Sequence, residues 1–314
     1  MTRARILPGL ALLTLAPFAG GSDVSAYLGR WDLTLKSPER DYALWLEITR
    51  HDAGIEARLV SRWGHARLLP IAELVKGGIR LVSPKEEEGR TDGDMIFEGR
   101  LQGNFLVGTT NGLDGTDWSW RGERAPSLER MRTPKWGSPV NLFNGKDLRG
   151  WHATDPNAKP AWRVEEGTLV SPGRGADLVS DRTFDDFKLH IEFNCTPGSN
   201  SGVYLRGRYE VQVEDDPEPV PPERGLAGIY GYLAPSTPVE RKPGIWRAYD
   251  ITLVGRRVTV VLDGVTLIDN QEIPGITGGA LDSREGLPGP IYLQGSEDGR
   301  VDYRNIRVTP ASRN

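Results

Sequence analysis

The chain has few of the residues that crosslink proteins or gather metals. Its 314 residues include one cysteine, Cys195, and four histidines. A lone thiol excludes an internal disulfide, and Cys195, on the apolar parity of an alternating run, reads as a buried structural thiol. His51 and His65 have no companions at metal-ligand spacing, so neither is given a role. A net charge of −4 gives no electrostatic case for nucleic acid, and no basic patch with interleaved aromatics occurs. The apolar stretch Ile6–Ala19 is too short and too proline-interrupted for a membrane span. Arg3 and Arg5 precede it and Gly20, Gly21, Ser22, Ser25 and Ala26 follow, which predicts a secretory signal peptide over residues 1–26. No cysteine ends that stretch, so a lipoprotein anchor is not expected. Export without disulfides fits a bacterial periplasm, the cell surface or secretion. Oligomeric state has no signature in the sequence.

Glycine and proline are abundant, with 38 and 23 residues, and they fall between short runs that alternate apolar and polar. This pattern predicts all-β architecture with many turns. A first domain is expected over 27–124, with about seven strands forming a small antiparallel barrel or sandwich. Its Gly29-Arg30-Trp31 resembles the lipocalin opening, with packing the expected role of Trp31. Residues 125–139 carry three prolines and a basic cluster, and read as a linker with room for one helical turn. A longer β domain is expected over 140–310. Its segment Asp215–Gly244 lacks periodicity and is too long for a simple connection, so it is expected to cover a binding cleft and bring Tyr230 towards Glu210.

The densest signal is Asn200–Asp215, two alternating strands around a glycine turn. Val203, Leu205, Val211 and Val213 share one parity; Tyr204, Arg206, Glu210, Gln212 and Glu214 share the other. Keeping one face apolar requires an odd loop. A loop Gly207-Arg208-Tyr209 would pair Arg206 with Glu210 and Tyr204 with Gln212 on one polar face.

The second domain resembles the 3-keto-disaccharide hydrolase domain family through an ordered set of motifs. These include Leu142-Phe143-Asn144-Gly145-Lys146-Asp147-Leu148 with Gly150-Trp151, Trp162-x-Val164-x-x-Gly167-x-Leu169, and Asn200-Ser201-Gly202-Val203 with Arg206. Tyr209-Glu210-x-Gln212-x-x-Asp215, Gly228-x-Tyr230, Pro243-Gly244-x-Trp246, Gly289-x-Ile291-x-Leu293-Gln294 and Tyr303-Arg304-Asn305-Ile306 complete it. Arg247 departs from the family, which often has Asn there. The resemblance covers about Val140–Thr309 and implies a concanavalin-A-like jelly roll acting on 3-keto-glycosides; it leaves the first domain's role open.

A 3-keto sugar has an acidified C2–H, since the resulting carbanion is stabilised as an enolate. Removing that proton expels the C1 oxygen by β-elimination, and water then adds back. Such chemistry needs a base, a group on the enolate oxygen and an acid for the leaving oxygen. Glu210 or Asp215 is the expected base, and Arg206 or a divalent metal ion the enolate partner. Tyr204, Tyr230 or His190 is the expected acid. Asn200, Gln212, Trp246, Gln294 and Arg304 are the expected sugar-binding groups. No other cofactor is implied. Two rival readings use the same residues. Glu210-x-Gln212-x-Glu214 has the spacing of retaining glucanases, whose two carboxyls stand about 5 Å apart, although glutamine replaces the middle aspartate. The second rival reading is a lectin-like binding module without catalysis.

Overall fold

The structure, a computed structural model, describes residues 24–52, 54–158, 162–215, 218–296 and 298–312. The expected signal peptide lies, up to residue 23, outside the described residues; Val24–Ala26 forms a 3-10 turn. The fold is all-β. The helical segments among the described residues are this turn and Pro222–Arg224, and none is long enough to cross a membrane.

Nine strands between Gly29 and Arg124 form one antiparallel sheet in ring order, with Arg67–Leu68 and Ile71–Val75 at its two ends. The strand Gly54–Val60 packs beside Ile71–Val75 and curls the sheet into a barrel. Those two end strands are additional to the seven expected. Arg67–Leu68 is too short to show alternation, and the edge strand exposes Ile71 and Val75. Trp31 is core: its indole N–H donates to the Tyr27 carbonyl at 2.9 Å, and the Arg124 guanidinium lies 3.8 Å over its ring.

Beyond Val140 two sheets stack. One has five strands in the order Trp151–Ala153, Leu178–Phe184, Gly289–Leu293, Asn200–Leu205, Tyr209–Glu214. The other has eight, centred on Val301–Pro310, Phe187–Cys195 and Arg247–Val254. Between them lie Leu189, Ile191, Phe193 and Cys195 from one sheet and Val203, Leu205, Val211 and Val213 from the other. Each fully buried aliphatic contributes about 1.5–3 kcal/mol. Burial pushes the Cys195 thiol up to about 12, so it stays neutral in this core.

The segment joining barrel and jelly roll forms no helical turn. It is docked instead, with Arg130 paired to Asp185 at 2.9 Å and Asp186 at 2.8 Å, and Trp136 bridging to Ala311. Barrel and jelly roll also share a core. Ala43, Trp45 and Val60 point out of the barrel into the larger cluster, and Trp45 meets Tyr232 edge-on at 5.6 Å. Gly278 has no side chain to hold the two apart: a Cβ there would stand 2.2 Å from the Gly64 carbonyl oxygen. Elsewhere along the seam, Glu285 accepts from Arg256 at 3.0 Å and from Tyr209 at 2.7 Å. Burial and the Glu285 charge push the neighbouring Asp32 carboxyl up to about 9.

Candidate functional site

The hairpin has the expected odd loop, shifted by one residue. Leu205 pairs with Tyr209 and Tyr204 with Glu210, which leaves Arg206-Gly207-Arg208 as the turn. Arg206 and Gly207 both adopt positive φ, 53° and 68°. The shift buries the Tyr209 ring in the core, and it removes Arg206 from the polar face. The Arg206 guanidinium instead donates to Asp185 at 3.1 Å, to Tyr209 at 3.1 Å and to the Gly255 carbonyl at 2.9 Å. The expected Arg206–Glu210 pair is thus not formed, and Arg206 has a structural place beneath the turn.

The parity itself holds. Strand register lays Val179, Tyr292, Tyr204 and Glu210 in one row across the five-stranded sheet, on the face away from the sandwich core. The Tyr204 and Tyr292 rings stack, with centroids 4.3 Å apart and planes at 19°. At one end of the row Tyr204 Oη lies 3.0 Å from Glu210 Oε2 and 2.7 Å from the Gly278 carbonyl oxygen, two acceptors for one phenolic proton. Glu210 lies over Gly202, where a Cβ would stand 2.1 Å from its Oε1. The Gln212 carboxamide, turned so that both its ends are satisfied, donates to Glu210 Oε1 at 3.2 Å and to the Ser201 carbonyl at 3.0 Å.

Toward the other end of the row Tyr292 donates to Asp177 Oδ2 at 2.8 Å, and the Gly295 N–H donates to Oδ1 at 2.9 Å. Burial raises the Asp177 carboxyl above the usual aspartate range; those two donors and the charge of Arg40 pull the other way. Burial, joined by neighbouring carboxylate charge, pushes both phenols well above their ordinary value, so they stay protonated.

A cavity of about 620 Å³ opens over this row. Asp177, Tyr204, Tyr292 and Gln294 form its floor; Arg40, Tyr42, Arg62 and Trp63 of the barrel form a wall. Asp41 and Asp298 also line it but are exposed, so Asp177 is its desolvated carboxyl. Glu210 and Gln212 are not among the lining residues and stand behind Tyr204; Asn200, paired with Glu214, lies two rows further along this face.

The remaining expected residues lie elsewhere. Asp215 continues the backbone pairing, with its N–H on the Ser199 carbonyl at 2.8 Å, so it keeps the parity of Val213 and its charge acts on Cys195. It does not face the site. The long loop runs back along the sheet edge: Ile229 bridges to Val211, and the Tyr230 N–H donates to the Glu210 carbonyl at 3.1 Å. Its backbone thus reaches Glu210 as expected, but Tyr230 does not line the cavity, whose cover comes from the barrel. His190, Arg304 and Trp246 belong to the outward side of the eight-stranded sheet, across the sandwich. There His190 Nδ1 lies 2.8 Å from Asp250 Oδ1, Arg304 donates to Glu192 at 2.6 Å, and the Arg304 guanidinium stacks 3.9 Å over Trp246. None of the three reaches the cavity. Glu214, the second carboxylate of the glucanase spacing, is tied to Arg241 at 3.1 Å and to the Leu226 N–H at 2.9 Å. Among the described residues no group of three or more His, Cys, Asp or Glu side chains converges as metal ligands.

Sequence reasoning missed Asp177 and the barrel wall. Asp177 precedes its strand without any alternation to mark it, and it meets Tyr292 across 115 positions of chain. The one available hint was its place immediately before the apolar run Leu178-Val179.

Residues 138–309, more than half of the chain, match the model of the 3-keto-alpha-glucoside-1,2-lyase-like domain. A protein of Bacteroides thetaiotaomicron named 3-keto-disaccharide hydrolase is 28% identical over 86 residues, which cover 24% of this chain and 29% of that relative. The match therefore spans less than a third of the relative's length. A solved structure from Parabacteroides distasonis, provisionally named a glycosyl hydrolase, is 27% identical; it covers 59% of this chain and 94% of its own, with a TM-score of 0.48. A non-specific endo-beta-1,3(4)-glucanase structure is 13% identical, covers 59% of this chain and 95% of its own, and has a TM-score of 0.35.

Proposed function

We propose, because the chain belongs to the 3-keto-alpha-glucoside-1,2-lyase-like domain family, that its cavity cleaves 3-keto-glycosides by β-elimination. One observation carries the assignment of the base: Asp177 is the cavity carboxyl that is both desolvated and hydrogen-bonded to a neutral phenol. A carboxylate stripped of water is a stronger base, and a base must reach the proton it removes. Asp177 takes the C2 proton. The electron pair passes into the enolate at C3, beside the guanidinium of Arg40 or Arg174, both of which line the cavity.

The leaving oxygen then needs a proton. Tyr292 gives its phenolic proton to that oxygen, and protonated Asp177 returns one to Tyr292 along their 2.8 Å bond. The enone and the free alcohol form, and the protein ends in its starting protonation state. Water addition to the enone at C1, with protonation at C2, makes the net change a hydrolysis. Glu210 acts at one remove as a positioning residue, fixing Tyr204 against the Gly278 carbonyl. An exported protein would meet such substrates outside the cytoplasm, consistent with the N-terminal sequence pattern.

The direct test is incubation with a 3-keto-glucoside and its unoxidised parent, following enone absorbance and released alcohol. Turnover of the keto compound alone is expected. Cleavage of the parent would favour ordinary retaining hydrolysis, and binding of both without turnover would make the protein a lectin-like module.

A further inference from the structure

We infer that the barrel is the specificity wall of the site, holding the second sugar ring of a disaccharide through Trp63 and the charged groups beside it. The inference rests on the reading above for the identity of the first ring and extends it to the substrate's size. Trp63 is 43% exposed, a large aromatic left facing the cavity rather than folded into a core. One face of the ring is taken, since the buried Arg62 guanidinium lies 3.9 Å over it. A platform backed on one side and open on the other suits stacking against the apolar face of a pyranose. Arg40 and Asp41, at the same mouth, offer a donor and an acceptor for ring hydroxyls.

The wall is held in place from beneath. Arg62 is itself buried and donates to the Glu88 backbone carbonyl at 2.7 Å. The Glu88 carboxylate is fully buried, accepting from Ser61 at 2.8 Å and Ser83 at 2.6 Å and bonding Arg67. Burying these charges is costly unless their hydrogen bonds are well made. What the network fixes is the loop after Val60 that carries Arg62 and Trp63. The same loop touches the floor of the site: Gly64 packs on Gly278, whose carbonyl accepts the Tyr204 proton at 2.7 Å. Barrel wall and catalytic floor therefore meet at a backbone contact too close for any side chain.

The test is affinity and turnover of Trp63→Ala and Trp63→Phe with a 3-keto-disaccharide and with methyl 3-keto-glucoside, which has no second ring. For Trp63→Ala, Kd and KM for the disaccharide should rise about tenfold or more, the scale of one lost pocket contact. Values for the methyl glucoside and kcat for both should stay within about twofold of wild type, and Trp63→Phe should recover most of the loss. Equal weakening toward both compounds, or toward neither, would overturn the inference. The elimination reading fails separately, if the wild type turns over neither keto compound. Calorimetric binding of the two sugars then still decides the wall's role, and a wild type that binds neither would overturn that as well.

Discussion

The two outward faces of the jelly roll carry similar side chains in opposite circumstances. On the eight-stranded sheet, His190, Asp250, Glu192, Arg304 and Trp246 form a chain of polar contacts ending in a guanidinium over a ring, with side chains from 19% to 59% exposed among the four ionisable groups. On the five-stranded sheet, Asp177, Tyr292, Tyr204 and Glu210 form a chain of similar length beneath the barrel, and its phenols and Glu210 are almost fully buried. The exposed chain is screened by water, and such pairs typically contribute less than about 1 kcal/mol. In the covered chain, removal of water shifts Asp177 and both phenols away from their ordinary values. What separates them is the barrel, which makes one face a desolvated cavity wall and leaves the other a solvated surface.

The comparison breaks most visibly at Asp177. Asp177→Asn should lower kcat/KM for a 3-keto-glycoside by about 10²–10⁴-fold, the usual cost of losing a general base. Its pH profile is a second check. A base raised above the usual aspartate range gives a wild-type rate that climbs with pH through that raised value, and the limb should vanish in the variant. Stability runs the opposite way with pH. The neutral carboxyl's contribution is complete below the unfolded value, about 3.9, and is lost as pH rises through the folded one. Thermal melts should therefore show Asp177→Asn gaining on wild type as pH increases.

Tyr292→Phe should cost about 10²-fold in kcat, the low end of what a general acid contributes, since it removes the proton donor of the leaving oxygen. Steady-state kinetics on the keto substrate checks this. Glu210→Gln keeps an acceptor for Tyr204 and does not touch the cavity, so turnover should remain within about tenfold of wild type. The smallest effect belongs to the open face: His190→Ala and Trp246→Ala should leave kcat/KM unchanged and alter unfolding free energy by no more than about 0.5 kcal/mol. A large activity loss from either would mean that the site spans the sandwich or lies on the other side.

The sequence showed which side chains point outward, but not onto which sheet. Alternation has a period of two, so His190 and Tyr204 satisfy it equally, and only the strand order puts them on opposite sides. A paired register displaced by two residues likewise keeps every parity. The alternating pattern therefore identified the core positions Val203, Leu205, Val211 and Val213 while misplacing Arg206. The strands themselves, the odd loop, and Tyr204 and Gln294 in the cavity were legible. Asp177 was not, because its significance lies in burial and in a partner 115 residues away. Trp63 was not, because it sits in an aperiodic loop whose use depends on how the barrel docks.

The fate of the C2 hydrogen tests the assignment most directly. A 3-keto-glucoside is cleaved in deuterium oxide, and NMR reads the C2 position of the product against an enzyme-free control. Elimination with Asp177 as base predicts complete loss of protium at C2 with the wild type and with Glu210→Gln, and cleavage slowed by about 10²-fold or more with Asp177→Asn. Cleavage that retains C2 protium, or Asp177→Asn turning over normally while Glu210→Gln does not, would contradict it.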